Sequence, residues 1–176
     1  MSEEKTDEEV VNVGVAEYYV THNPHVLASY GLGSCVGVAL YDDRKKIGGL
    51  AHIMLPDSKA FSKPGGAGRY ADTAIRAMVE EMEKLGSRRK DIRAKMAGGA
   101  CMFTIPGAKN PKNVPGPYLG MQIGERNVEA VKKALKELKI PLVAEDTGGS
   151  YGRTMRFFTS DGSVVVSSIR FGSKNL

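Results

Sequence analysis

The stretch that decides the fold runs from residue 36 to residue 55: Val36-Gly-Val-Ala-Leu-Tyr41, then Asp42-Asp-Arg-Lys-Lys46, then Ile47-Gly-Gly-Leu-Ala-His-Ile-Met-Leu55. Two apolar runs rich in strand formers flank a charged segment with turn chemistry at its head, which is the pattern of a β-hairpin. In an antiparallel hairpin the numbers of paired residues have a constant sum. A turn that pairs Tyr41 with Lys46 therefore also pairs Cys35 with His52 and puts both on one face of the sheet. Directly opposed residues have Cβ atoms about 4.5–5.5 Å apart, so a thiol and an imidazole meet there. A one-residue slip would part them or send them to opposite faces, so the turn length carries the inference.

Upstream, Val11, Val13 and Val15 alternate with Asn12, Gly14 and Ala16, which predicts a strand running toward Tyr18 or Tyr19, and Asn23-Pro24 then turns the chain. Downstream, Ser58 to Gly68 is rich in Gly, Ser, Lys and Pro and reads as an exposed loop. Ala71, Ala74, Ile75, Met78, Met82 and Leu85 fall on one face of a helix that Gly86 stops. Val128, Val131, Leu135 and Leu138 repeat the pattern in a second helix from about Arg126 to Leu138, closed by Pro141. Ala94 to Thr104, Leu142 to Glu145, Arg153 to Thr159 and Ser163 to Ile169 supply further strands, the last two joined by Asp161-Gly162. The expected fold class is α/β, a layered sandwich with a mixed, largely antiparallel sheet and two main helices on one or both of its faces. Residues 1–9 read as a disordered acidic tail and residues 10–176 as a single domain.

The apolar run from Ile47 to Leu55 is far short of the roughly 20 residues that span a bilayer, so no membrane insertion is expected. Met1 to Glu9 is acidic and lacks the basic head and apolar middle of a secretory signal, which implies a cytoplasmic location. The two cysteines and three histidines show neither CxxC nor HxxxH spacing, and no metal site is expected. The net charge of +5 conceals a −4 tail. Lys84, Arg88, Arg89, Lys90, Arg93 and Lys95 cluster after the first helix, but no aromatic ladder interleaves them and Trp is absent. A solvated basic turn is the better reading than a nucleic-acid surface.

Ser29-Tyr-Gly-Leu-Gly-Ser-Cys35 leads into the hairpin and carries the chemistry. An imidazolium beside a thiol stabilises the thiolate, which is the nucleophile. Gly31 and Gly33 permit a tight bend before Cys35, so amides of Ser34, Cys35 or a neighbouring loop can face a developing oxyanion, with Gly33 and Ser34 as the backbone candidates. Such an arrangement suits acyl transfer. The residues alone leave a second reading open, because a cysteine at a Gly-rich strand end is commonly core filling. For Cys101, with no histidine near it in sequence, core packing is preferred. His22 and His25 flank the Asn23-Pro24 turn and read as solvated. Gly65-Gly-Ala-Gly68 lacks a following GK[ST] and reads as a flexible loop bordering the site.

Six motifs in order give the chain a specific resemblance: Gly31-Leu-Gly-Ser-Cys35, His52-Ile-Met-Leu-Pro56, Tyr70-Ala-Asp72, Lys95-Met-Ala-Gly-Gly-Ala100, Ile123-Gly-Glu-Arg-Asn127, and Asp146-Thr-Gly-Gly149 with Gly152-Arg153. From about Val13 to Val166 it resembles the CheD family, the chemoreceptor glutamine deamidases of chemotaxis. The resemblance implies a Cys-His-Thr triad on an α/β sandwich similar to the deamidase domains of cytotoxic necrotizing toxins. By position it makes Cys35 the nucleophile and His52 the base. The family's threonine falls on Ser29, a departure that keeps the orienting hydroxyl and loses the stiffening methyl group.

The implied reaction converts receptor glutamine to glutamate through a Cys35 thioester, needs no cofactor, and has Gly33 and Ser34 at the oxyanion. The implied partners are methyl-accepting chemoreceptor cytoplasmic domains and the phosphatase CheC; our own reading puts part of the phosphatase surface on the helix from Tyr70 to Leu85 or on the adjoining loop. The alternative is a noncatalytic chemotaxis module of the same fold.

Overall fold

A computed structural model describes residues 8–61, 65–102 and 120–176. The first seven residues of the expected acidic tail, residues 62–64 of the loop after Ser58, and Phe103 and Thr104 at the end of the strand expected from Ala94 lie outside the described residues. The chain contains strands β1 (Glu9–Asn12), β2 (Tyr18–His22), β3 (His25–Leu32), β4 (Val36–Asp42) and β5 (Ile47–Ile53), then helix α1 (Ala71–Lys84) and β6 (Ile92–Gly98). Helix α2 (Gly120–Glu137), β7 (Leu142–Thr147), β8 (Arg153–Phe158), β9 (Val164–Ser168) and β10 (Gly172–Asn175) follow. No helix among the described residues is long and apolar enough to cross a membrane.

The architecture is α/β, with two sheets where the sequence led us to expect one. The order β1-β3-β8-β9-β10 forms one five-stranded sheet and β2-β5-β4-β6-β7 the other. Pairing is antiparallel except at β1–β3 and β6–β7. Strands β4 and β5 are buried almost throughout, because both faces of their sheet are covered. Val36, Val38 and Leu40 of β4, with Ile47, Ala51 and Ile53 of β5, pack on α1 and α2. Ala39 and Leu50 turn the opposite way and pack on Leu27, Met155 and Phe157 of the other sheet. The result is three layers, helices over sheet over sheet, with an apolar core in each gap.

The hairpin forms, but its register is displaced. Asp42 pairs with Ile47 and Gly37 with His52, whereas the expected pairs were Tyr41 with Lys46 and Cys35 with His52. The cause lies in Asp42, whose Oδ1 accepts the amides of Arg44 at 3.0 Å and Lys45 at 3.2 Å, so this residue closes the ladder and the turn begins after it. Lys46 completes the turn at φ 53°.

The predicted N-terminal strand divides in two. Strand β1 begins at Glu9, one residue before the expected start of the domain, and pairs with β3 in one sheet, while β2 pairs with β5 in the other. Between them the chain crosses from sheet to sheet, with Ala16 at φ 65°. Helix α1 buries Ala71, Ala74, Ile75, Met78 and Met82 as its spacing predicts, and Leu85 lies exposed at its end. Helix α2 starts at Gly120, ahead of the expected Arg126, and buries Val131, Leu135 and neighbouring Leu138.

Candidate active site

Side-chain alternation brings Ser29, Cys35 and His52 to the space between the two sheets. Cys35 packs with the intersheet core. His52 lies two positions from Leu50, which faces that core, and is 1% exposed. Ser29 lies two positions from Leu27, which enters the same space from the opposite sheet, and is fully buried. The register displacement conserves the face and changes the spacing: His52 stands opposite Gly37, so Cys35 is its diagonal neighbour. Diagonal neighbours in an antiparallel pair are about 7–8 Å apart.

The crossover between β1 and β2 closes over His52. Its backbone N–H donates to Glu17 O at 2.9 Å and its carbonyl accepts Ala16 N–H at 2.9 Å. The Ser29 hydroxyl donates to the Val13 carbonyl at 3.0 Å, where the sequence led us to expect a direct bond to the imidazole. Neither ring nitrogen of His52 has a hydrogen-bond partner among the described residues. Burial pushes the His52 imidazole below its ordinary value, against the smaller pulls of the Val13 carbonyl and the Glu17 carboxylate. Burial likewise pushes the Cys35 thiol up. Both shifts favour a neutral thiol beside a neutral imidazole, in place of the expected ion pair.

The loop before Cys35 is fastened at every carbonyl. Gly33 O accepts Ala100 N–H at 2.8 Å and Cys35 O accepts Gly99 N–H at 2.8 Å. Ser34 O accepts Asn127 Nδ2 at 2.9 Å, and the same amide group reaches Met54 O at 3.0 Å. Gly98, at φ 112°, runs so close to Cys35 O that a Cβ there would collide with it. A second tier holds the first. Gly148 N–H donates to Gly98 O and Cys101 N–H to Gly149 O, both at 2.9 Å. Buried Arg153 donates to Gly148 O at 2.8 Å, pairs with Asp146 at 3.3 Å and stacks on Tyr151. The motifs around residues 98, 127, 148 and 153 thus support one loop. Sequence reasoning assigned Asn127 no role, although an amide on the apolar stripe with Val131, Ala134 and Leu138 was a visible signal.

Other groups lie apart from this site. Arg88 and Arg89 of the basic cluster pair with Asp91 and Glu83. His25 Nδ1–H donates to His22 O at 2.8 Å and the ring faces Glu9; half-buried Cys101 belongs instead to the second tier, through its N–H to Gly149 O. A groove of about 490 Å³ between α1 and α2, lined by Pro56, Asp72, Arg76, Glu80, Lys133 and Glu137, includes neither Cys35 nor His52 in its lining.

Comparison with known proteins gives the site its context. The profile described as CheD chemotactic sensory transduction matches residues 54–168. The chain is 49% identical over 166 residues to "Probable chemoreceptor glutamine deamidase CheD" of Clostridium botulinum (strain Hall), covering 94% of this chain and 97% of that protein. It is 42% identical over 174 residues to the protein of the same name from Clostridium acetobutylicum, covering 99% of each. Among solved structures it matches the Bacillus licheniformis hypothetical protein YfiH with a TM-score of 0.44 and 22% identity, over 74% of this chain and 49% of that one. At 42–49% identity to such relatives over nearly its full length, the chain belongs to the CheD family.

Proposed function

We propose that the protein is a protein-glutamine deamidase of chemoreceptor cytoplasmic domains, with Cys35 as nucleophile, His52 as general base and acid, and Ser29 as the residue that orients them. The observation that carries this reading is the convergence of all three side chains on the space between the sheets, in a chain similar throughout to proteins named as deamidases. Two neutral partners define the first step. Rotation of the Cys35 side chain brings Sγ to the ring, and His52 takes the thiol proton as sulfur attacks the glutamine carbonyl carbon. The oxyanion forms against the amides of Ser34 and Cys35. The imidazolium then gives its proton to the departing ammonia, leaving a thioester on Cys35. Neutral His52 next removes a proton from water, which attacks the thioester and frees glutamate, and the proton returns to the thiol.

Ser29 acts through an intermediary in this reading. Its hydroxyl fixes the Val13 carbonyl, and that carbonyl favours the protonated imidazole. We also place the phosphatase CheC as a regulatory partner, with α1 and its groove against α2 as part of its surface. Incubation with a receptor cytoplasmic fragment tests the central reading: mass spectrometry should find glutamine converted to glutamate at defined sites. Inactivity of the wild type with tight CheC binding would instead favour the noncatalytic module.

A further inference from the structure

Asn127 occupies an unusual place for an amide. It lies on α2, is fully buried, and carries an Oδ1 without a partner among the described residues. Both of its contacts at Nδ2 are carbonyl oxygens, those of Ser34 and Met54, so the orientation of the amide is fixed by chemistry: only nitrogen can donate to them. One helix residue thereby ties the loop before Cys35 to the chain two residues beyond His52. The helix reaches this position because Gly124, one turn earlier, has no side chain. A Cβ there would lie 2.7 Å from Gly99 O.

The bond to Ser34 O has a consequence on the other side of the same peptide unit. The peptide between Ser34 and Cys35 is trans, and in a planar trans peptide the carbonyl and the following N–H point in opposite directions. Fastening Ser34 O to Asn127 therefore aims the Cys35 N–H away from α2. The bond from Ala100 N–H to Gly33 O fixes the Ser34 N–H in the same manner. Among the described residues neither of these two amides donates to a backbone acceptor.

We infer that Asn127 is a positioning residue for oxyanion stabilisation: by holding Ser34 O it presents the Cys35 amide to the tetrahedral intermediate, and by holding Met54 O it keeps that amide in register with His52. The inference rests on the deamidase reading given above. It differs from a general structural role because it acts on charge developed during acyl transfer and leaves the thiol itself untouched.

Two variants and two reactions test it. Asn127→Leu removes the donor while keeping the number and branching of the side-chain heavy atoms, and Asn127→Ser retains a shorter donor. In Asn127→Leu, kcat for deamidation of a receptor fragment should fall about 10²-fold, the scale of a lost or misaimed oxyanion donor, with KM within about twofold. Alkylation of Cys35 by iodoacetamide, a displacement at carbon with no oxyanion, should stay within about threefold of wild type. Asn127→Ser should recover part of kcat. A kcat within about threefold of wild type overturns the inference, as does a parallel fall in kcat and alkylation. Loss of cooperative melting in both variants assigns Asn127 a purely structural role and overturns it too. A wild-type protein that does not deamidate, or a Cys35→Ala variant that does, defeats the underlying deamidase reading and is recognised separately.

Discussion

His52 stands directly across β4–β5 from Gly37, which places Cys35 diagonal to the imidazole on the same intersheet face. The vacancy of a side chain at Gly37 is filled by the ends of Met155 and Leu32, whose Sδ and Cδ1 would lie 2.7 and 3.1 Å from a Cβ at that position. The thiol and the imidazole are thus neighbours across an apolar gap in the resting protein, and burial keeps each of them neutral.

This neutrality sets a pH dependence. A histidine whose pKa is lowered by folding leaves the unfolded chain with more bound protons once pH drops below the ordinary value of 6.5, so stability is present above that value and lost below it. A cysteine whose pKa is raised reverses the sense: stability declines as pH rises through the ordinary value of 9.0. Melting temperatures should therefore fall less steeply in acid for His52→Gln, and less steeply in alkali for Cys35→Ala, than for wild type. Parallel curves for wild type and variants would contradict the assignment. The acid limb of kcat/KM should likewise lie below pH 6.5, where neutral His52 is lost.

Ser29→Ala deletes a buried hydroxyl and leaves the Val13 carbonyl without that donor. The expected cost is about 1–2 kcal/mol in urea unfolding and a loss of activity milder than that of Cys35→Ala. Ser29→Thr retains the donor and should stay active. Equal, complete inactivation by Ser29→Ala and Cys35→Ala would show that the hydroxyl takes part in the chemistry itself.

Gly124→Ala probes the seat of α2. The added Cβ meets backbone atoms of Gly99 and Ala100, which cannot rotate aside as a side chain can. We predict a loss of about 1–3 kcal/mol by denaturant titration. Deamidation should fall with it, since the helix carries Asn127. Full stability and activity would mean that the helix does not need this approach.

Much of this arrangement was legible because its determinants are local. The buried face of α1, the β8–β9 hairpin at Asp161-Gly162 and the β4–β5 hairpin all follow from residue spacing and turn chemistry over a few positions. The parity of Cys35 and His52 survived the register error, since a change of two in the pairing sum returns every side chain to its own face. The error itself came from counting the turn from Asp42, when the Asp42 carboxylate caps the turn from within the ladder. The division of the first strand between two sheets was hidden because Val11, Val13 and Val15 keep the same alternation through the crossover. Strand β10 is exposed along its whole length and has no apolar pattern to find. The role of Asn127 depends on partners 93 and 73 residues away, and in the sequence only its polarity on an apolar stripe and its place at the end of the Ile123-to-Asn127 motif mark it.

The most direct test of the account is to quench the reaction of the wild-type protein with a receptor fragment at short times and map covalent adducts by peptide mass spectrometry. The account predicts a transient glutamyl thioester on Cys35 that decays as glutamate appears, and neither species with Cys35→Ala. Glutamate formed at the wild-type rate by Cys35→Ala, or an adduct on another residue, would contradict it.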